Sequence, residues 1–383
     1  MGDIPIRTKS GTCVPKLTPK VSLFLNKTTV LFGPSKTGKT VFIRNIISLL
    51  RGHIDQILVI SPTEPSNHAY EGLVPAPLIH TTIGHLNSKH PIGTVKCAAE
   101  FLNDIWQRQE FLAGIYNIVN DINSLESLYF KLSALKRRRP DENIQLLKEK
   151  CRKYCQLIEE NPLYNGKDSI ECIEKCKIIH NKCQELIGEI YKLHIYKNKK
   201  YLMKLATTEN EQTIISYVQL NPRMLLVFDD CGSQLKSLQQ NPVFRSLFYQ
   251  NRHVNLSVVF SCQDETDIMP NLRKNVFSSI FTNARSCEMF FHRDSSKFSK
   301  AEKAYISEIT PLIYARAHCK LAYIREDVHR NYYYHITADY ISPDNQVLFG
   351  SPAVQEYCAK IQADKSQLDK KNPFYKNFIL NNI

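Results

Sequence analysis

The chain has 383 residues, 43% of them hydrophobic, and its 50 Lys and Arg exceed its 37 Asp and Glu, which gives a formal net charge of +13. This composition excludes a disordered chain and predicts a globular protein with two or three domains, or with one large domain and an insertion. The positive charge favours an anionic partner but identifies none, and a solvated basic surface explains it equally well.

The sequence has no apolar run of about 18 or more residues, and its first ten residues lack the apolar core of a signal peptide. Position 6 is not Ser or Thr, so the myristoylation pattern after Gly2 also fails. The 12 cysteines of such a chain are typical of reduced thiols. We therefore expect a soluble intracellular protein without a membrane partner.

The first predicted elements surround the sequence GPSKTGKT at residues 33–40. Residues 1–27 are polar, contain prolines and lack a sustained hydrophobic period, which predicts an irregular arm. The apolar run 28–32 then predicts a strand, and helical spacing of apolar residues begins at Val41. A strand, a glycine-containing loop and a helix in this order predict a phosphate-binding loop.

Each defined position of this loop has a chemical reason. Gly33 and Gly38 allow backbone conformations in which successive N–H groups point toward a phosphate. Lys39 reaches the β- and γ-phosphates, and the Thr40 hydroxyl binds Mg²⁺. We therefore predict ATP or GTP as the ligand, together with Mg²⁺. The predicted nucleotide-binding residues are Gly33, Pro34, Ser35, Lys36, Thr37, Gly38, Lys39 and Thr40.

A second buried strand is predicted at residues 56–61, where a β-branched run ends before Pro62. Glu64 follows at the carboxyl end of this strand, the edge at which open α/β sheets collect ligands. It is either a surface residue of a turn or a carboxylate that faces the nucleotide. Residues 72–93 are rich in Pro, Gly and His and are predicted to be irregular.

Helical periods dominate residues 95–217, which we interpret as a helical insertion. Apolar residues follow helical spacing from Phe101 to Leu132, and a second helix is predicted over 143–160. A third has a heptad seam that starts at Cys172.

Basic residues outnumber acidic residues in much of this insertion. Between Lys131 and Lys204, 18 Lys and Arg stand against 10 Asp and Glu, a difference of +8. These charges either face solvent as the polar sides of helices or bind the anionic partner. The candidate residues for that contact are Lys136, Arg137, Arg138 and Arg139.

Several cysteines fall in the second and third predicted helices of the insertion, namely Cys151, Cys155, Cys172, Cys176 and Cys183. Three arrangements are open: disulfides across a helical hairpin, a zinc site that includes His180, or packing as small apolar residues. Packing in the core is favoured, because the last three cysteines share the heptad seam with Ile and Leu residues.

Five apolar residues follow Arg223 and lead into two carboxylates, Asp229 and Asp230, which is the pattern of a Walker B strand. Asp229 would hold Mg²⁺ through water beside Thr40, and Asp230 would polarise the attacking water. Nearly all NTPases that hydrolyse with a strand carboxylate have Glu at the second position. The shorter Asp230 therefore leaves Glu64 as an alternative base.

The next predicted strand, 255–262, ends at Gln263, whose amide is suited to sense the γ-phosphate or to orient water. Residues 278–283 predict a further strand. Near these strands, Arg273 and then Arg252 are our candidates for an arginine that enters the nucleotide site of a neighbouring subunit. A surface position, or a contact with the anionic partner, explains each arginine at least as well.

The last part of the sequence predicts a helix, a hairpin and a tail. Helical spacing returns at 299–313, and two strand-like runs at 319–325 and 332–336 predict a hairpin at the edge of the sheet. The chain from 343 has mixed polarity and is predicted to be a surface tail.

In this order the motifs resemble those of the poxvirus-type genome-packaging ATPases of large DNA viruses, within the FtsK/HerA superfamily. The matching motifs are GPSKTGKT at 33–40, LLVFDD at 225–230, NRHVNLSVVFSCQ at 251–263 and NLRKN at 271–275. Adjacent Asp-Asp is tolerated in that viral group. The resemblance does not cover the helical insertion.

The resemblance implies an α/β P-loop NTPase with a mainly parallel central sheet flanked by helices. It implies a homo-oligomeric ring that hydrolyses ATP with Mg²⁺ and drives double-stranded DNA into a preformed capsid, with a capsid or portal component as partner. Such a protein acts in the cytoplasm or nucleus of an infected cell, or with the virion. The predicted domains are an arm at 1–27, an ATPase core at 28–94 and 218–342, the basic helical insertion at 95–217 and a tail at 343–383.

Two other functions are compatible with the same loop. A phosphoryl-transfer kinase is disfavoured by the long separation of the loop from the carboxylate strand and by the polar residue on the intervening strand. In a nucleotide-gated scaffold, Asp230 would fail as a base and ATP would only organise assembly.

Overall fold

The computed structural model describes residues 5–9, 11–84, 88–135, 142–164, 166–293, 297–327, 330–342 and 346–363. Within these ranges an eight-stranded sheet lies at the centre of the fold, and two short strands pair separately near the N-terminus. The strands are β1 (Ile6–Arg7), β2 (Cys13–Val14), β3 (Thr28–Phe32), β4 (Gln56–Ile60), β5 (Ile79–His80), β6 (Met224–Asp229), β7 (Leu256–Cys262), β8 (Ser278–Phe281), β9 (Cys319–Asp327) and β10 (Arg330–Thr337). The helices are α1 (Lys39–Leu50), α2 (Glu64–Asn67), α3 (Val95–Val119), α4 (Ile122–Leu135), α5 (Glu142–Glu159), α6 (Ile170–Lys197), α7 (Lys199–Leu205), α8 (Glu209–Tyr217), α9 (Gly232–Leu238), α10 (Pro242–Tyr249), α11 (Pro270–Arg273), α12 (Ala284–His292), α13 (Lys300–Tyr314) and α14 (Pro352–Ala363).

The strand order of the large sheet is β10-β9-β8-β3-β7-β6-β4-β5. Neighbours from β8 to β5 pair in parallel, whereas β9 pairs antiparallel with both β8 and β10. The predicted fold class is therefore confirmed, including the hairpin at one edge. Because β7 lies between β3 and β6, one strand separates the phosphate loop from the two carboxylates.

The central strands are buried on both faces, which explains their continuous apolar runs. Along β3, Val30 and Phe32 belong to one apolar cluster, whereas Leu31 belongs to the cluster on the opposite face. The alternation follows from the two-residue period of a strand. Side chains on both faces thus fix the sheet and leave the strand ends free to carry the site.

The chain forms two compact units, and only the unit of residues 1–110 and 222–383 contains the sheet. The other unit, residues 111–221, contains the end of α3 and the helices α4 to α8. Its apolar cluster includes Leu125, Tyr129 and Tyr191. The predicted insertion began at residue 95, earlier than this unit, because the helical spacing of α3 is continuous across the boundary.

The helical spacing from Phe101 to Leu132 is divided into two helices at Asp121. The Asp121 carboxylate accepts hydrogen bonds from the backbone N–H groups of Asn123 and Ser124 at 3.4 and 3.2 Å, and from the Ser124 hydroxyl at 2.6 Å. These bonds satisfy the first N–H groups of α4. A new helix therefore begins here although the apolar spacing continues.

Two segments predicted to be irregular, and the predicted surface tail, contain regular structure. In the N-terminal arm β1 pairs with β2, and Ile6 and Val14 enter the apolar core. In the predicted tail, α14 buries Val354 against the opposite face of the sheet. β5 adds an edge strand within the stretch predicted as irregular. Each element is too short, or its apolar period too weak, for the pattern to be recognised without its tertiary contacts.

Candidate nucleotide-binding site

The predicted phosphate loop, residues 33–40, connects the end of β3 to the start of α1. A Cβ built on Gly33 would lie 2.0 Å from Thr282 Oγ1, and Gly38 has a φ of +83°, so a side chain is disfavoured at both positions. The Thr37 hydroxyl lies 2.7 Å from the Pro34 carbonyl oxygen and 2.6 Å from Thr282 Oγ1. The end of β8 thus supports the loop.

Lys39 is the first residue of α1 and is 5% exposed. Its Nζ donates hydrogen bonds to the carbonyl oxygens of Gly33 at 2.6 Å and Pro34 at 3.0 Å. Burial lowers the pKa of Lys39, and the carboxylates of Asp230 and Asp229 oppose this shift. The ammonium group is therefore held within the loop, where the motif predicts phosphate binding.

Asp229 ends β6 and is almost completely buried. Its Oδ2 accepts hydrogen bonds from the Thr40 hydroxyl at 3.1 Å and from the Tyr70 hydroxyl at 2.7 Å. Its Oδ1 has no hydrogen-bond partner within the described ranges. Burial raises the pKa of Asp229, and the nearby hydroxyls of Ser261 and Tyr70 act against this rise. The two predicted metal ligands, Thr40 and Asp229, are thus in direct contact.

Two residues at the site were not predicted from the sequence. Tyr70 is fully buried, lies in a stretch with no regular pattern, and gives no local signal of its contact with Asp229. Lys320 lies in β9 beside Gly38 and is also buried. The available signal for Lys320 is one lysine near the start of an otherwise apolar strand, residues 319–324.

Replacing Tyr70 by Phe removes one hydrogen bond to the buried Asp229 carboxylate. We expect the free energy of unfolding without nucleotide to fall by about 1–3 kcal/mol, because a buried charged acceptor loses a donor. Urea denaturation measures this change. In the control Tyr314→Phe, a hydroxyl that donates to the Phe281 carbonyl at 2.7 Å and accepts the Leu321 N–H at 3.4 Å is removed, and the loss should be smaller, about 0.5–1.5 kcal/mol, because neither partner is charged. Equal losses would contradict a special contact at Asp229.

Asp230 follows β6 with a φ of +56°. Few residues other than Gly adopt this left-handed conformation, and Asp and Asn are the common exceptions. Asp230 is half-buried, and its Oδ1 has no hydrogen-bond partner within the described part of the chain. Such backbone conformations cluster at functional sites. The carboxylate predicted to act as the base therefore has a free oxygen near Lys39.

Glu64, the alternative base, begins α2 and is 8% exposed. Its Oε2 accepts the backbone N–H of Ala69 at 3.0 Å, and its Oε1 accepts that of Tyr70 at 2.9 Å. Burial raises the pKa of Glu64, whereas these hydrogen bonds lower it. Both oxygens hold the segment that carries Tyr70, so this geometry favours Asp230 as the base.

Gln263 directly follows β7 and has an exposed side chain. The register pairs Phe32 with Cys262 and Asp229 with Ser261, so Gln263 lies at the strand end between the loop and the carboxylates. Its backbone N–H donates to Asp267 Oδ2 at 2.9 Å. This strand register is consistent with the predicted position of the Gln263 side-chain amide at the edge of the site.

The two candidate arginines differ in burial. Arg273 is 5% exposed, and its guanidinium lies 5.4 Å from the centre of the Phe290 ring. Burial lowers its pKa, opposed by Glu265. Arg252 is exposed, with its Nε 3.3 Å from His253 Nε2. An arginine that enters a neighbouring site must be exposed in the separate subunit. The burial of Arg273 and the exposure of Arg252 therefore reverse our order of preference, and Arg252 becomes the first candidate.

The cysteines of the helical unit lie where α5 meets α6. Cys172 and Cys183 are buried, and Cys155 Sγ lies 3.8 Å from the Cys176 carbonyl oxygen. All these thiols are free. No cluster of three or more His, Cys, Asp or Glu side chains in the described ranges is arranged to hold a metal ion. These contacts favour core packing over the zinc and disulfide alternatives.

The candidate DNA-contacting residues Lys136, Arg137, Arg138 and Arg139 lie outside the described residues. None of the helices in the described ranges combines the length and the apolar composition needed to span a bilayer.

Comparison with known proteins identifies the family. Residues 186–351 match the family described as Poxvirus A32 protein. Protein B354L from a warthog isolate of African swine fever virus is 40% identical over 386 aligned residues, which cover 98% of this chain and 99% of the relative. B354L from the Vero-adapted Badajoz strain gives the same identity and coverage. The chain belongs to the poxvirus A32 family. The sequence motifs of this A32-family protein resemble those of the poxvirus-type ATPases, and the family membership that they predict is therefore confirmed.

Solved structures with similar folds are more distant from the A32-family chain. The genome packaging NTPase B204 of Sulfolobus turreted icosahedral virus 2, in complex with ATP-γS, is 12% identical with a TM-score of 0.33, over 83% of this chain and 98% of that one. The pCW3 conjugation coupling protein TcpA is 12% identical with a TM-score of 0.37, over 88% of this chain and 66% of that one. At such TM-scores neither protein's activity transfers to this chain.

Proposed function

We propose that this protein is an ATP-driven translocase of double-stranded DNA that packages a viral genome into preformed capsids. The observation that carries the proposal is the order of three strand ends: the phosphate loop after β3, Gln263 after β7, and Asp229 with Asp230 at β6. A polar residue between the loop and the carboxylates suits hydrolysis of a nucleotide. Membership of the A32 family supports the viral packaging role.

Thr40 and Asp229 are the residues that would hold Mg²⁺. The unpartnered Asp229 Oδ1 and the Thr40 hydroxyl offer oxygen atoms, the ligand type that Mg²⁺ prefers. Mg²⁺ in nucleotide sites is commonly held by only one or two protein side chains together with the phosphates. When bound, Mg²⁺ neutralises charge that develops on the phosphate oxygens.

The remaining residues have distinct roles in this proposal. Lys39 binds the β- and γ-phosphates, Asp230 accepts a proton from the attacking water, and Gln263 orients that water. An arginine of the neighbouring subunit, Arg252 in preference to Arg273, completes the site in a homo-oligomeric ring. A capsid or portal component receives the DNA within the infected cell.

Release of free phosphate from ATP, measured with and without double-stranded DNA, tests the function. We expect turnover that DNA stimulates and no phosphorylated acceptor. A phosphorylated acceptor would instead identify a kinase. Binding of ATP without turnover, even with DNA and the capsid portal present, would identify a nucleotide-gated scaffold.

Neutralising Lys136, Arg137, Arg138 and Arg139 together to Ala should weaken DNA binding. If all four contact phosphates, the slope of log K against log salt should become less negative by up to about 3.6, because fewer counterions are released. Filter binding at several salt concentrations measures the slope. The control neutralises four exposed lysines of the sheet unit, Lys20, Lys89, Lys274 and Lys360. An unchanged slope in the first variant would place the DNA contacts elsewhere.

A further inference from the structure

A pocket of about 490 Å³ opens on the side of the phosphate loop that faces β9. Four basic side chains line it, and the described residues that line it include no Asp or Glu. These basic residues are Lys36, Arg316, His318 and Lys320. A concave surface with this charge is suited to a small anionic ligand.

Lys320 reaches this pocket because of the strand register. Phe32 of β3 pairs with Phe281 of β8, and Phe281 pairs with Leu321 of β9. Since β9 is antiparallel, the next row toward the loop consists of Gly33, Thr282 and Lys320. The start of β9 therefore lies at the same sheet edge as the ends of the parallel strands. β9 and β6 lie on opposite sides of β3, so Lys320 and Asp229 flank the loop.

The amine of Lys320 is buried next to the loop. Lys320 is 5% exposed, and a Cβ built on Gly38 would lie 3.4 Å from its Nζ. Its Nζ donates a hydrogen bond of 3.4 Å to the His318 carbonyl oxygen, and no carboxylate in the described ranges forms an ion pair with it. Burial lowers the pKa of Lys320.

A buried ammonium group without a carboxylate is unfavourable unless an anion joins it. The nearest element to its Nζ that is predicted to bind an anion is the phosphate loop itself. Resting on the proposed nucleotide-binding function, we propose that Lys320 is a second phosphate-binding lysine. It contacts the phosphate chain of the nucleotide from the side of the loop opposite Asp229.

The variant Lys320→Met tests this assignment, because Met keeps the length of the side chain and removes the charge. Isothermal titration of the full chain with ADP should show an affinity about 10- to 100-fold lower than that of the unaltered protein. Pyrophosphate, titrated as a competitor of ADP, should lose affinity by a similar factor. The matched control is Lys360→Met, at an exposed lysine of α14.

Stability without nucleotide separates a ligand contact from a structural one. If Lys320 is an anion-binding residue, Lys320→Met should unfold at an equal or higher urea concentration without nucleotide, because a buried charge has been removed. Weaker ADP binding together with lower stability would assign Lys320 a structural role and overturn the proposal. Weaker ADP binding with unchanged pyrophosphate binding would also overturn it, because Lys320 would then act on the nucleoside.

The unaltered chain provides the remaining comparison. If it binds ADP and Lys320→Met binds equally well, the Lys320 assignment alone fails. If the unaltered chain binds neither ADP nor pyrophosphate, both the nucleotide-binding function and the role of Lys320 are contradicted.

Discussion

Lys39→Ala is expected to lower the affinity for ATP and ADP by about 100-fold or more and to abolish turnover. The ammonium group lies inside the phosphate loop, bonded to the carbonyl oxygens of Gly33 and Pro34. With a nucleotide bound, the phosphates are predicted to be its partners, and Ala leaves their charge without this cation. Titration with a non-hydrolysable ATP analogue and measurement of phosphate release test the two effects separately.

The control for Lys39→Ala is Lys360→Ala, which removes the same charge from an exposed position. That variant should bind nucleotide and turn over as the unaltered protein does. Urea denaturation of both variants establishes that any loss is not due to unfolding. If Lys39→Ala bound the analogue within threefold of the unaltered protein, the phosphate-loop assignment would be wrong.

Asp230→Asn is expected to lower kcat by about 10²- to 10⁴-fold, the usual contribution of a general base, while nucleotide affinity changes little. Asn removes the proton acceptor but tolerates the left-handed φ of +56° at this position, so the turn after β6 is kept. Ala would combine the loss of the carboxylate with backbone strain. Single-turnover measurements with saturating ATP isolate the chemical step.

The comparison variant is Glu64→Gln. Both oxygens of Glu64 accept backbone N–H groups, and an amide retains only one acceptor oxygen. We therefore expect lower stability and a modest change in kcat. The opposite result, with Asp230→Asn active and Glu64→Gln inactive but stable, would identify Glu64 as the base.

The sequence was sufficient to predict those parts of the candidate site that consist of contiguous residues. The strand at Thr28–Phe32, the loop and the carboxylate strand each combine an apolar run with a motif of fixed spacing. Tyr70 was not predictable in this way, because it contacts Asp229 across 159 positions of sequence. The burial of Arg273 also depends on contacts with α12, in particular the Phe290 ring, that the short sequence around it does not encode.

The sequence by itself was sufficient to identify the family of this protein and to predict its nucleotide chemistry. The roles predicted for Gly33, Lys39 and Asp229 depend on local backbone conformation and residue type, which a motif specifies. Only the tertiary structure decided which further charges surround the phosphate loop. Strand order and register bring Lys320 to the loop, and tertiary packing brings the Tyr70 hydroxyl to Asp229. These arrangements depend on long-range packing of the sheet, and burial sets the charge environment of each group.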